Sequence, residues 1–472
     1  VDVVGGSAVS LLHVGLVMLD RDGALAPGLA ESWSLSDDGR TLRFRTREGA
    51  LASDGSPLGA AEAAASFRRL LDPAEASPRS WVLEGIRGAA AFRNGEAGDV
   101  AGLRVESARD LAIELERPSA SFLSLLAMPA ACVLPAGAPV DGSVTSGPWV
   151  LSEWVRDGRL VFRRNPHWFG DPPGFRELHV RILPEEFTRA AEFEVGNLDV
   201  LEVPVSESRR FRAGMPERVV RQVAPVTEYI GLNNDDPVLS DARVRRALNH
   251  AVNVDRILES VVGGLGMRSV GAVPPGLPGG GAGTLYGWDP ARARALLEEA
   301  GVPADWTLTL WQRPAPLASQ VLEAVQADLA AAGIRAEIRV RDWSALKASI
   351  DQGETPAFFI NWYADYPDPE NFLVPLFHSR NAGGGGNRAR FRDAAVDSLL
   401  DRLELPAPAD ERATLAAQID RRVSVQAPWI YLWHPVKEIA VSERIRDYRP
   451  HPISTCERWL GVTAAPGDGP AR

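Results

Sequence analysis

The chain has 472 residues, 45% of them hydrophobic and 24% charged, which exceeds the size at which one hydrophobic core stops growing. Two or three subdomains are therefore expected, and disorder is not. A formal charge of −11, with no lysine or arginine block at either end, argues against nucleic acid and anionic membrane surfaces as partners.

Only two cysteines occur, Cys132 and Cys456, so no disulfide framework or cysteine metal motif holds the fold, and whether the two pair is open. The most apolar stretch, residues 121–140, carries Pro129, Pro135 and Pro139, which suits a helix end and a strand rather than a membrane span. The chain starts at Val1 without a basic, apolar or lipid-anchor leader, as expected of a processed or trimmed form if it is exported.

The first half reads as short strands. Leu42 and Phe44 alternate with arginines, and period two recurs at Leu111, Ile113 and Leu115, at Leu160 and Phe162, and at Leu178, Val180 and Ile182. Turn chemistry separates them at Ser36-Asp37-Asp38-Gly39, Asp54-Gly55-Ser56-Pro57 and Asp157-Gly158. From about residue 240 the period becomes helical: Val244, Ala247, Leu248 and Ala251 follow the cap candidates Ser240 and Asp241. Asp289 as cap, Pro290 at the first helical position and Gly301 after the last bound a second helix over 291–300.

Next come an alternating strand over 306–311, a helix with Val321, Leu322, Val325 and Leu329 inward, and a strand with Ile334, Ala336, Ile338 and Val340. A strand, helix, strand unit implies a parallel pair and hence an α/β lobe. The apolar run 358–362 predicts a short buried strand that ends in Ala364-Asp365-Tyr366-Pro367-Asp368-Pro369, where two prolines forbid regular structure and carboxylates emerge. The glycine runs 279–281 and 383–386 lack the Lys-Ser/Thr pair of a phosphate loop and read as linkers.

Catalytic and metal signatures are missing from the sequence. The seven histidines include no pair at three- or four-residue spacing, no Gly-x-Ser-x-Gly elbow occurs, and Asp365 and Asp368 have no evident reason to share a substrate. Thirteen tryptophans are many for this length, and those at 306, 311, 343, 362, 429 and 433 suit both core packing and a cleft that encloses varied ligands.

Eight segments, in order, carry a resemblance. They are Gly15-Leu16 through Pro27-Gly28-Leu29-Ala30-Glu31-Ser32-Trp33 with Ser36–Gly39, Ser146-Gly147-Pro148-Trp149, Arg164-Asn165-Pro166-His167-Trp168 and Gly196-Asn197-Leu198-Asp199-Val200. Val244-Arg245-Arg246-Ala247-Leu248 within 241–255 follows, then 289–301, then Trp362-Tyr363-Ala364-Asp365-Tyr366-Pro367-Asp368-Pro369-Glu370-Asn371-Phe372. Through them the chain resembles, nearly end to end, the extracytoplasmic solute-binding proteins of peptide/nickel ABC importers, of the oligopeptide- and dipeptide-binding type.

The resemblance implies an α/β, two-lobed periplasmic-binding-protein-like fold of type II with mixed sheets, an inserted subdomain and a hinge. Lobe I is expected over 1–32, 144–235 and 436–472, the insert over 33–143 and lobe II over 236–435. It also implies a periplasmic or otherwise extracytoplasmic monomer, without cofactor or metal, that closes on a small peptide and delivers it to the transmembrane permease subunits. By resemblance, Asp365 holds the ligand ammonium and Arg313, in Gln312-Arg313-Pro314, holds its carboxylate as a bidentate partner. After Pro314 the chain departs from the family's tyrosine-containing continuation.

By the same resemblance, main-chain pairing with the ligand is expected at Asn361, Trp362 and Tyr363 and over Val14, Gly15 and Leu16, and Tyr366 is a further expected ligand-binding residue. The alternatives on this scaffold are a sugar, opine or nickel complex as cargo, or a hydrolase or sensor.

Overall fold

A computed structural model of the chain describes residues 3–139 and 141–465. Val1 and Asp2, Val140 at the end of the apolar stretch, and residues 466–472 of the expected first lobe lie outside the described residues. Two compact units form, one from the residues up to Val220 and from Ile439 onward, the other from Arg221–Glu438.

In the first unit the period-two runs become strands. Leu42, Phe44 and Thr46 turn inward on Thr41–Thr46 while Arg43 and Arg45 are exposed. This strand lies in an antiparallel sheet of order Ala30–Leu35, Thr41–Thr46, Asp110–Glu114, Leu103–Val105. Gly39, at φ 70°, turns the first hairpin. The helix Ala60–Leu71 buries Ala63, Ala64, Phe67 and Leu71, the 3–4 spacing of an amphipathic face.

A second antiparallel sheet joins Trp149–Val155, Arg159–Arg164 and Glu177–Arg181. Val180 and Ile182 remain 39% and 36% exposed, so alternation there marks a strand without a covered face. The apolar stretch forms the helix Phe122–Leu126 and a 3-10 turn, Pro129–Ala131, where a strand was expected; proline cannot donate to a ladder. No helix among the described residues is long and apolar enough to cross a membrane.

Several residues that carry the resemblance are structural. Ser146 Oγ donates to Val133 O at 2.5 Å and accepts from Val14 N–H at 3.2 Å. Asn165 Nδ2 donates to Gly147 O at 2.9 Å, and the indole of buried Trp149 donates to Arg458 O at 2.9 Å.

The second unit is built on a mixed sheet of order Trp429–Val441, Val226–Leu232, Ala357–Tyr363, Thr307–Gln312, Arg335–Val340. The strand from Val226 is antiparallel to both neighbours, whereas the last three strands run parallel to one another. Thr307–Gln312, the helix Pro316–Ala331 and Arg335–Val340 form the expected strand, helix, strand unit. That helix sends Val321, Leu322, Val325 and Leu329 into the core alongside Leu308, Leu310, Ile230 and Leu432.

Asp241, rather than Ser240, caps Ala242–Ala251 by accepting from Arg243 N–H at 2.7 Å. Asp289 caps Pro290–Ala300, which Gly301 ends at φ 70°. Arg245 is buried because carbonyls satisfy its guanidinium: Leu239 and Ser240 at 2.7 and 2.9 Å, and Gln426 at 2.8 Å, at the end of the helix Ala409–Gln426. Burial still lowers its pKa to about 10.

Candidate functional site

Three residues form a row across the central strands of the second unit. Glu228 stands opposite Asn361 on one side and opposite Trp433 on the other. Side chains two apart share a face of a strand, so Phe359, Asn361 and Tyr363 join this row, while Trp362 points away. A cavity of about 220 Å³ opens over the row, lined also by Arg313, Ala315, Leu317, Ala318, Trp343 and Ile360.

The floor is apolar and fixed: Phe359 and Trp433 are buried with ring centroids 6.2 Å apart. The mouth is apolar and open, with Leu317 41%, Trp343 45% and Tyr363 52% exposed. Arg313 immediately follows the strand Thr307–Gln312, whose last residue is anchored by Gln312 Nε2 donating to Ser319 Oγ at 3.0 Å. Its guanidinium is exposed and makes no ion pair among the described residues.

Glu228 is the unusual charge. Its Oε1 accepts from Asn361 Nδ2 at 2.9 Å, and no ion pair holds it among the described residues. Burial pushes its pKa up to about 7, against the lowering effects of the Asn361 hydrogen bond and the Arg313 charge.

The strand Ala357–Tyr363 is paired along its whole length with Val226–Leu232. On its other side Thr307–Gln312 pairs only with Ala357 and Phe358. Residues 359–363 thus have no strand along that edge among the described residues, and the edge runs beside the cavity.

The cavity brings together Arg313, Asn361 and Tyr363. Trp362, Asp365 and Tyr366 belong to the same unit but do not line it. Trp362 Nε1 donates to Asn371 O at 2.9 Å, and Asp365 N–H donates to Asn371 Oδ1 at 3.0 Å, so Asn371 pins this segment twice. Asp365 is half-buried and Tyr366 buried.

Asp368 serves the fold: it accepts from Arg412 Nη2 at 2.8 and 2.9 Å beside Glu370. Val14 and Gly15 lie in the first unit. The Val14 amide is already spent on Ser146 and its carbonyl accepts from Val133. A Cβ on Gly15 would stand 2.7 Å from Leu126 O, a close approach that only glycine permits.

Sequence reasoning passed over Glu228. Its signal was a carboxylate in the apolar run Val226-Thr227-Glu228-Tyr229-Ile230, since a charge inside a buried strand needs a reason. Of the tryptophans, 343 and 433 line the cavity, whereas Trp429 is core, stacked on Tyr229 with centroids 3.6 Å apart. No group of three or more His, Cys, Asp or Glu side chains that could hold a metal occurs among the described residues.

An open cavity with opposite charges and aromatic walls has the make-up of a small-solute site, and the fold is shared along the whole chain with solved structures. The structure of HbpA2 from Haemophilus parasuis superposes with a TM-score of 0.85 at 23% identity, covering 98% of this chain and 96% of that one. The Escherichia coli murein tripeptide binding protein MppA gives 0.78 at 23%, covering 98% and 94%. The fold is thus that of these two proteins along the whole chain.

The family follows from sequence: residues 24–384 match the model of the bacterial extracellular solute-binding proteins, family 5, and the chain belongs to that family. Relatives include the probable di/tripeptide-binding protein 5 of Pseudomonas aeruginosa, 31% identical over 91% of this chain and 86% of the relative. Heme-binding protein A of Haemophilus influenzae is 30% identical over 93% and 84%.

Proposed function

We propose that this protein is the substrate-binding component of an ABC importer, that it captures a short peptide outside the cytoplasm, and that it passes the peptide uncut to membrane permease subunits. The observation that carries the peptide cargo is the strand edge at 359–363 running beside the exposed Arg313. A peptide main chain can bond to such an edge whatever its side chains, and a guanidinium at the edge's end suits a terminal carboxylate. Asp365, two residues beyond the strand, is the proposed holder of the ammonium end.

The domain reading proposed with it has 1–32, 144–235 and 436–472 as lobe I, 33–143 as insert and 236–435 as lobe II; the compact units divide instead after Val220 and after Glu438, which puts the strand Val226–Leu232 in the second unit. The peptide-binding relatives support the cargo, and the heme-binding relative supplies its competitor.

Isothermal titration of the purified protein against di- and tripeptides, their C-terminal amides, hemin, sugars and nickel chelates separates the readings. Binding of free peptides, weakened by amidation and by Arg313→Ala, is expected. Binding of hemin, a sugar or a metal chelate without peptide binding would remove the peptide cargo, and cleavage of a labelled peptide would refute a purely binding role.

A further inference from the structure

Glu228 is placed where a charge is costly. It lies on the central strand of the second unit's sheet, between Asn361 and Trp433, under a cavity walled by Phe359, Trp343 and Tyr363. Its neighbour in hydrogen-bond reach is a neutral amide, Asn361 Nδ2 at 2.9 Å. An isolated carboxylate in such a place loses hydration without an ion partner to replace it, and burial raises its pKa as expected of that loss. An amide or leucine would pack this row at less cost, so the carboxylate calls for an explanation in what enters the cavity.

Arg313 narrows the occupant. Its positive charge acts on Glu228 from the cavity wall but makes no ion pair with it among the described residues, so the cavity offers separate anionic and cationic groups. A lone cation would meet Arg313 repulsion, and a lone anion would meet that of Glu228. An occupant carrying both charges on one residue satisfies both. A peptide's C-terminal lysine or arginine does so, with its carboxylate at Arg313 and its side-chain cation at Glu228. The methylenes of such a side chain, and a guanidinium face, pack well on tryptophan and tyrosine rings, and about 220 Å³ accommodates one long side chain.

We propose that the Glu228–Asn361 pair forms a side-chain subsite selecting peptides whose C-terminal residue is basic. This deepens the peptide reading above and rests on it.

The test compares alanyl-lysine, alanyl-norleucine and alanyl-glutamate by isothermal titration at pH 7 on the whole protein. Norleucine keeps the length of lysine without its charge. The expected result is a preference for lysine over norleucine of about tenfold or more, the scale of one charge-assisted hydrogen bond, with glutamate weakest.

In Glu228→Gln the lysine-to-norleucine ratio is expected to fall to about one. A wild-type ratio below about threefold, or a ratio that survives Glu228→Gln, overturns the subsite. The wild-type comparison needs no variant to fold. Binding of alanyl-norleucine without a lysine preference refutes the subsite alone, whereas failure of all three peptides to bind removes the peptide reading with it.

Discussion

Asn361 donates its side-chain amide to Glu228 across two adjacent strands at 2.9 Å, and this neutral bond stands where an ion pair would ordinarily support a half-buried carboxylate. The consequence is a pH-dependent stability. The unfolded glutamate titrates near 4.5 and the folded one near 7, so between these values the native state binds more protons than the unfolded state. Stability from this group is complete below about pH 4.5 and is lost as pH rises through 7.

Glu228→Gln removes that titration. Its stability relative to the parent is therefore expected to improve from pH 5 to pH 8, by an upper bound of roughly 3 kcal/mol. Urea unfolding of both proteins at the two pH values, without ligand, measures this. A difference that does not change with pH would contradict it.

Arg313→Ala separates binding from folding. The side chain is exposed and unpaired among the described residues, so its removal is expected to change stability by less than about 0.5 kcal/mol. Loss of a carboxylate's guanidinium partner is expected to weaken a free peptide by about tenfold or more and its amide far less. Equal losses for acid and amide would move the carboxylate site elsewhere.

The second unit was the more legible half because its signals are local. Asp241, Asp289, Pro290 and Gly301 bound their helices by chemistry within a turn, and the alternation of 307–312 and 335–340 gave a parallel pair. Period two was less informative at Val180 and Ile182, because whether a strand face is covered depends on distant chain. Likewise, Arg313 and Asn361 are visible as motif residues, but Glu228 meets Asn361 only through strand pairing across 133 residues of sequence and shares a cavity with Arg313 only through the fold. The open edge at 359–363 depends on where the neighbouring strand stops pairing, which no local pattern reports.

Arg412 tests the loop that follows Tyr363. Its guanidinium, mostly buried, holds Asp368 at 2.8 Å and lies 3.7 Å from Glu370, so Arg412→Ala would take the guanidinium from Asp368, a carboxylate of low exposure. Removing one partner of a buried pair costs about 3–5 kcal/mol, and thermal unfolding is expected to show a loss of that order. A variant as stable as the parent would mean that Asp368 finds another partner or becomes protonated.

Asp420 offers the clearest case of a carboxyl group that the fold holds at a cost. It is fully buried, Oδ1 accepts from Ala272 N–H at 2.7 Å, and Oδ2 has no hydrogen-bond partner among the described residues. Burial pushes its pKa up to about 7 from 3.8, against the Ala272 backbone hydrogen bond, which favours the charge. The sign is again that of a raised acid: its stability contribution is present below about pH 4 and lost as pH rises through 7.

Asp420→Asn preserves the oxygen that receives Ala272 N–H and removes the buried charge, so it is expected to be more stable than the parent at pH 8, by on the order of 2–4 kcal/mol. Near pH 4 that gain should vanish. Asp420→Ala is expected to be destabilising at pH 4, because it strands the Ala272 amide and opens a cavity. Melting temperatures of the three proteins at pH 4, 6 and 8 decide the matter: an asparagine variant less stable than the parent at pH 8 would show that the ionised carboxylate is held by contacts stronger than its burial is costly.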